Sequence, residues 1–154
     1  MIPDKVRKVL EANGLSALEF EPGSTPTAEL AAARIGVAVS RIAKSLLFKG
    51  RDDAYYMVVC PGDKRLSPSA LKRAAGTKLS MTGAEKTERV TGYRPGGVCP
   101  FAIDGVHILL DADLGLYPTV YPAAGTDATG VPTTLAELER ITGGRVVDFS
   151  AAAD

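Results

Sequence analysis

Residues 40–50 read SRIAKSLLFKG. Ile42, Leu46, Leu47 and Phe48 crowd into this short run, which predicts a β-strand. Alternate side chains of a strand point to opposite faces. One face therefore carries Ser40, Ile42, Lys44, Leu46 and Phe48, and the other Arg41, Ala43, Ser45, Leu47 and Lys49. Lys44 interrupts the more apolar face. Burying an ammonium among apolar side chains is costly unless the charge is paired. Three readings stand open. A bulge shifts the register, the long side chain snorkels to water, or the face lines a pocket in which the amine meets an anionic or carbonyl group of a ligand.

Outward from this strand, KGRDD predicts a turn and AYYMVVC a second strand, giving a β-hairpin. On the N-terminal side a helix is predicted over 4–13, capped by Asp4 and followed by Gly14. A second is predicted over 28–35, capped by Thr27 and ended by Gly36. On the C-terminal side Ser67-Pro68 starts a helix to about Ala75, because serine caps and proline suits the first helical position. KLSM reads as a short strand. Thr82 and Glu85 have capping-box spacing for a helix over about 83–90. GVHILLD and TVYPAA read as apolar strands. Thr133 or Thr134 starts a helix through Leu135, Leu138 and Ile141, and RVVDF is a last strand. Helices and strands mix without strict alternation, and short turns favour antiparallel pairing. The expectation is one α+β domain over 1–154, without repeats or an interdomain linker.

With 154 residues the chain can bury roughly 68–70% of its unfolded surface, enough for a core. No apolar run approaches the ~20 residues that span a bilayer, so no membrane association is expected. The polar, amphipathic N-terminus lacks a secretory signal, and a cytoplasmic location is expected. Cys60 and Cys99 stand far apart and read as free thiols. With one histidine, His107, they cannot supply the usual four zinc ligands, so no metal and no cofactor is expected. The net charge of zero hides an asymmetry: residues 1–90 carry 15 Lys/Arg against 10 Asp/Glu, and residues 91–154 carry 3 against 8. Within 41–78 the count is 9 basic to 3 acidic, either a solvated surface or a patch that attracts a polyanion.

Two further stretches bear on chemistry. In GYRPGGVCP, residues 92–100, Pro95 presets a turn, and Gly96-Gly97 allow positive φ and close backbone approach. Consecutive amides in such a bend can form an anion nest or an oxyanion site, although Pro-Gly-Gly also occurs in plain turns. PAAGTDATG, residues 122–130, combines small residues with Thr126 and Asp127, as a ligand wall or a surface connection. Phosphate-binding GxxxxGK[ST] and strand-borne GxGxxG motifs are absent. His107 sits in an apolar strand and reads as structural. Cys99 is a candidate nucleophile by its place in the glycine loop, but no base accompanies it.

Taken together, TAELAAARIGV, RIAKSLLF, VVCPGDKRLS, LKRAAGTKLSM, TGYRPGGVCPF, ILLDADL and YPAAGT resemble, in this order, the YbaK/prolyl-tRNA-editing family of aminoacyl-tRNA deacylases. The resemblance implies a barrel-like, mixed and largely antiparallel sheet wrapped by helices. It implies metal-free hydrolysis of a mischarged aminoacyl-tRNA ester, often on tRNA for proline. Lys44 matches the family lysine, which holds the terminal adenosine phosphate or the aminoacyl group. Backbone amides of Gly96, Gly97 and Val98 would steady the oxyanion, with the ribose 2′-hydroxyl assisting water. Thr27, Ser45, Gly92, Pro95, Cys99, Pro100, Ala124, Gly125 and Thr126 are the implied substrate-binding residues. The implied partner is the acceptor end of aminoacyl-tRNA, with a synthetase as a second partner and no DNA. The chain departs from many members at Cys99, Ala123 and Thr126, and lacks the pocket histidine of one subgroup. Alanine, serine, threonine and cysteine form the reasonable set of rejected amino acids. A binding module of the same fold without turnover is the rival reading, and a nucleic-acid regulator a weaker one, since no helix-turn-helix pattern is present.

Overall fold

A computed structural model describes residues 2–149. In chain order its elements are α1 (Asp4–Ala12), β1 (Leu18–Glu19), α2 (Ala28–Ile35), β2 (Ala43–Gly50), β3 (Tyr55–Pro61), α3 (Pro68–Ala75), β4 (Leu79–Met81), α4 (Ala84–Thr91), β5 (Val106–Asp111), β6 (Thr129–Gly130), α5 (Leu135–Thr142) and β7 (Arg145–Val147). A 3₁₀ turn, Val39–Arg41, leads into β2.

Five strands form one sheet in the order β4-β2-β3-β5-β7, and β1 pairs with β6 in a separate ribbon. β2 runs antiparallel to β3 and β4, as does β1 to β6. β5 lies parallel to both β3 and β7. The parallel pairs follow from the connections, since parallel neighbours need a crossover. α3, β4 and α4 intervene between β3 and β5, and α5 between β5 and β7. The sheet is thus mixed and the fold α+β, as expected. The hairpin joins Lys49 to Tyr55 and aligns Lys44 with Cys60.

The helix signals are local, and most act as predicted. Thr27 Oγ1 accepts from Leu30 N at the start of α2. Ser67 Oγ accepts from Ala70 N ahead of Pro68, and Thr134 caps α5 through Glu137 N. Two caps are corrected. Pro3 occupies the N-cap of α1, and Asp4 lies inside the helix, paired with Arg7 at 2.8 Å. Gly83, without a side-chain cap, precedes α4. Thr82 extends the β4 edge instead: its N–H donates to Leu47 O at 3.1 Å, and its hydroxyl lies 2.7 Å from that of Thr87. TVYPAA is corrected too, because it makes only single bridges, Ile42 to Tyr121 and Val120 to Thr133. Pro118 and Pro122 flank the bridging residues and lack the N–H a longer ladder needs. The RVVDF strand stops at Val147.

β3 is buried on both faces, which explains its unbroken apolar run. Met57 and Val59 join Ala43, Leu47, Leu110, Leu114 and Leu138 in the main core, with Val6 and Leu10 of α1. Val58 and Cys60 face the other way, with Phe48 and the α3 residues Ala70, Leu71 and Ala74. Ile42, Ala31 and Ala32 form a third cluster that seats α2. No described helix is long and apolar enough to cross a membrane.

Leu138 is fully buried in the main core, so Leu138→Ala is expected to lower stability by about 2–5 kcal/mol. Ser67→Ala removes one cap and is expected to lower it by about 1 kcal/mol. Urea unfolding of the two variants checks the contrast; equal losses would contradict this placement of the core.

Candidate functional site

The outer edge of β2 is used only at its ends. Near its start Ala43 N donates to Tyr121 O at 3.1 Å, and near its far end Leu47 O accepts from Thr82 N. Hydrogen-bonding groups alternate between the two edges of a strand, so Ser45, midway between these residues, turns its own N–H and C=O to the same edge. No strand among the described residues fills that gap.

A cavity of about 410 Å³ occupies it. Residues 42–47 form one wall, and Thr25 to Ala28 with Ala31 and Ile35 form another. Met81, Thr82, Ala84 and Thr87 close one end. Pro95, Gly96 and Val98 face in from the glycine loop, with Tyr121, Ala123 and Thr129 beside them. Among the described residues, Lys44 is the only ionisable side chain other than the Tyr121 phenol in this lining; no carboxylate, histidine or cysteine takes part.

The glycine loop owes its shape to a turn and two close approaches. Gly97 N donates to Arg94 O at 2.9 Å, and Gly96 has φ +93°. With Pro95 in the second position and glycine in the third, this is a type II turn. A side chain on Gly96 would begin 3.2 Å from Pro26 Cα, and one on Gly97 only 2.7 Å from Thr126 N. The bend is therefore wedged between the segment ahead of α2 and residues 125–126. Gly96 and Val98 face the cavity, and neither amide has a protein acceptor among the described residues.

Lys44 lies on the face of β2 that carries Leu46 and Phe48 and borders the cavity at the strand's beginning. Its Nζ donates to the Lys64 carbonyl at 2.8 Å, in the loop after β3. An ammonium has three N–H donors, so two remain without a partner among the described residues. The Lys64 side chain is held in turn by Asp111 at 2.7 Å and Asp113 at 2.8 Å. Burial pulls the Lys64 ammonium down, but the hydrogen bonds and charges of Asp111 and Asp113 outweigh it and leave the group above its ordinary value. Asp111 is fully buried, so this pair anchors the loop whose carbonyl receives Lys44.

The structure thus gathers Thr27, Lys44, Ser45, Pro95, Gly96 and Val98 around one cavity. The Thr27 hydroxyl, however, is engaged as the α2 cap. Gly92, Gly97, Cys99, Pro100, Ala124, Gly125 and Thr126 stand behind the lining. This corrects the expectation that three consecutive amides face a ligand, because the turn commits the Gly97 N–H to Arg94 O. Gly92 ends α4. Gly125 and Thr126 press on Gly97, and Thr126 Oγ1 accepts from Ala128 N. Cys99 is corrected as a candidate nucleophile. It is wholly buried, and burial pushes its thiol up to about 12; Cys60 is likewise buried and pushed up to about 12. His107 is exposed on β5, stacks against Tyr56 with ring centroids 5.0 Å apart, and is outside the cavity. Sequence reasoning misses Thr25, Met81, Thr82 and Thr87. The only signal for the first is its place one residue before the Pro26-Thr27 helix start.

The chain was compared with known proteins on this basis. The aminoacyl-tRNA editing domain family matches residues 22–141. The uncharacterized protein YwhH of Bacillus subtilis is 36% identical over 129 residues, 83% of this chain and 82% of that protein. The proline–tRNA ligase of Thermosipho melanesiensis is 40% identical over 86 residues, 55% of this chain but only 15% of the ligase. A solved structure described as a "putative trans-editing enzyme for prolyl tRNA synthetase" superposes with TM-score 0.84 at 34% identity, covering 96% of this chain and 98% of that one.

Two expectations follow from the site. Gly97→Ala sets a methyl against the Thr126 backbone and is expected to lower stability by about 1–3 kcal/mol, measurable by urea unfolding. Both thiols should resist a thiol reagent such as Ellman's in the native protein and react in full once it is unfolded, since the thiolate is the reactive form. Rapid native labelling would contradict their burial.

Proposed function

The chain belongs to the aminoacyl-tRNA editing domain family, and on that footing we propose that it hydrolyses the ester of a mischarged aminoacyl-tRNA in trans, with tRNA for proline as the leading candidate. The observation that carries this reading is the shared cavity: Lys44 and the amide-bearing residues Gly96 and Val98 line one concave space beside an open strand edge. The similarity to a proline–tRNA ligase over 15% of its length supports the choice of tRNA. The same reading places the protein in the cytoplasm and admits a synthetase as a partner.

The chemistry asked of the site is modest. Water adds to the ester carbonyl carbon, the bond to the ribose 3′-oxygen breaks, and that oxygen leaves with a proton. Negative charge grows on the carbonyl oxygen in between. Two fixed amides, of Gly96 and Val98, are suited to receive it, and preorganised donors of this kind are worth more in a cavity than in water. Lys44 has two donors left beyond Lys64 O for the phosphate or the aminoacyl group. No side chain lining the cavity is an evident general base. In place of a base, the 2′-hydroxyl of the terminal ribose orients the attacking water and relays its proton to the departing 3′-oxygen, so the rate gain rests on positioning.

Acceptor-stem phosphates would meet the exposed Arg65, Lys72 and Lys78 near α3 and β4. Such contacts position without reading sequence and weaken with salt.

The test follows ester loss from a panel of mischarged tRNAs. Lys44→Ala is expected to slow deacylation of the preferred substrate by about 100-fold or more, on the scale of removing an electrostatic contact to the reacting group. The wild-type rate at limiting substrate should fall as salt is raised. Inertness of wild type across the whole panel would refute the hydrolase, and tight tRNA binding in that case would favour the module without turnover.

A further inference from the structure

Lys44, Cys60 and Asp111 form a row across three neighbouring strands. Lys44 of β2 is aligned with Cys60 of β3, and the β3–β5 register, which sets Val59 beside Leu110, brings Asp111 next to Cys60 one residue on. The row lies on the sheet face that carries Phe48, Val58 and Leu109. Lys64, in the loop after β3, links its two ends. The Lys64 carbonyl accepts from Lys44 Nζ at 2.8 Å, and the Lys64 ammonium lies 2.7 Å from Asp111 and 2.8 Å from Asp113. Among the described residues that ammonium is the only polar partner of Asp111 Oδ2. Asp111 Oδ1 accepts from Asp113 N at 2.9 Å, so one buried carboxylate holds both Lys64 and the second carboxylate. The residues on either side of Lys64, Asp63 and Arg65, are exposed. Burial dominates the Cys60 thiol in the middle of the row, but the charges of Lys44, Asp111 and Lys64 act on it as well.

We propose that Asp111 and Lys64 are positioning residues for the editing reaction: their ion pair pins the carbonyl that orients the Lys44 ammonium at the cavity. This inference rests on the editing reading and deepens it. A lysine side chain has much rotamer freedom to lose, and the carbonyl of an exposed, untethered loop would hold it poorly. Here the loop is fastened by its own side chain to a fully buried carboxylate. The arrangement also leaves Lys44 its charge. Asp111 and Asp113 are both engaged by Lys64, and the partner of Lys44 is a neutral carbonyl, so no direct ion pair cancels the positive charge beside the cavity. Stability alone does not account for a carboxylate at position 111, because a buried ion pair is often no better than a well-packed apolar pair.

A double-mutant cycle separates positioning from support of the fold. Lys64→Met/Asp111→Asn removes both partners, so neither is left as an unpaired buried charge, and urea unfolding first confirms that the variant is folded. The probe is the mischarged tRNA that wild type deacylates fastest in the panel, followed in a single turnover. The paired change is expected to slow deacylation about tenfold, the scale of coupling within one polar network. In a Lys44→Ala background the same change should leave the rate where it was, because the group it orients is gone. Equal slowing in both backgrounds overturns the inference, since the ion pair would then support the cavity wall at large. A folded variant that keeps the wild-type rate overturns it too. Should the paired variant not fold, Asp113→Asn takes its place, because the Asp113 side chain is 36% exposed. It is expected to slow wild type about threefold and the Lys44→Ala protein not at all, and any other pattern overturns the inference. These failures leave the editing reading standing, whereas a wild type inert across the panel removes both.

Discussion

The cavity exists because the outer edge of β2 is paired at both ends and open in between. Tyr121 takes Ala43 and Thr82 takes Leu47, leaving a gap in the ladder around Ser45. A strand edge with unpaired amide and carbonyl groups invites another chain, and here α2 and the glycine bend enclose it instead. The interruption thus provides both a hollow and polar backbone along its floor.

The hollow keeps its shape through contacts that only small residues permit. Gly96 and Gly97 touch the backbones of Pro26 and Thr126 where any Cβ would crowd. Behind them Tyr93, Cys99 and Phe101 are almost wholly buried, with the Tyr93 hydroxyl donating to the Phe101 carbonyl. Lys5 stands 4.5 Å from the centre of the Tyr93 ring and donates to Thr91 O. The glycine loop that lines the cavity is therefore seated on the main core. On the opposite side of β2, the buried Asp111 holds Lys64, whose carbonyl receives Lys44. The two halves of the site are fixed by separate supports.

Much of this was legible in the chain. The starts and stops of α2, α3 and α5 were readable because their caps and following glycines act within a few residues. The β2–β3 hairpin was readable from apolar runs around a short turn. The Lys44 anomaly marked a strand that borders the cavity, and the Pro-Gly-Gly stretch marked a loop that lines it. Errors came where a local signal met a tertiary competitor. Thr82 had the spacing of a capping residue, but a strand edge took its backbone and the Thr87 hydroxyl its side chain. TVYPAA had strand-like composition, but its partners, Ile42 and Thr133, lie on different segments.

The residues by themselves determined the boundaries of α2, α3 and α5, the hairpin, the family likeness and two stretches that line the cavity, because caps, alternation and turn chemistry operate between near neighbours. Only the tertiary structure decided which wall each residue occupies. It turned the Gly97 amide away, buried both thiols, tied the Lys44 ammonium to a carbonyl twenty residues further on and buried the Thr25 and Ser45 hydroxyl oxygens without partners among the described residues. Those outcomes depend on which segments share an edge or a contact surface. Spacing along one chain cannot specify that, because the competing partners come from distant parts of it.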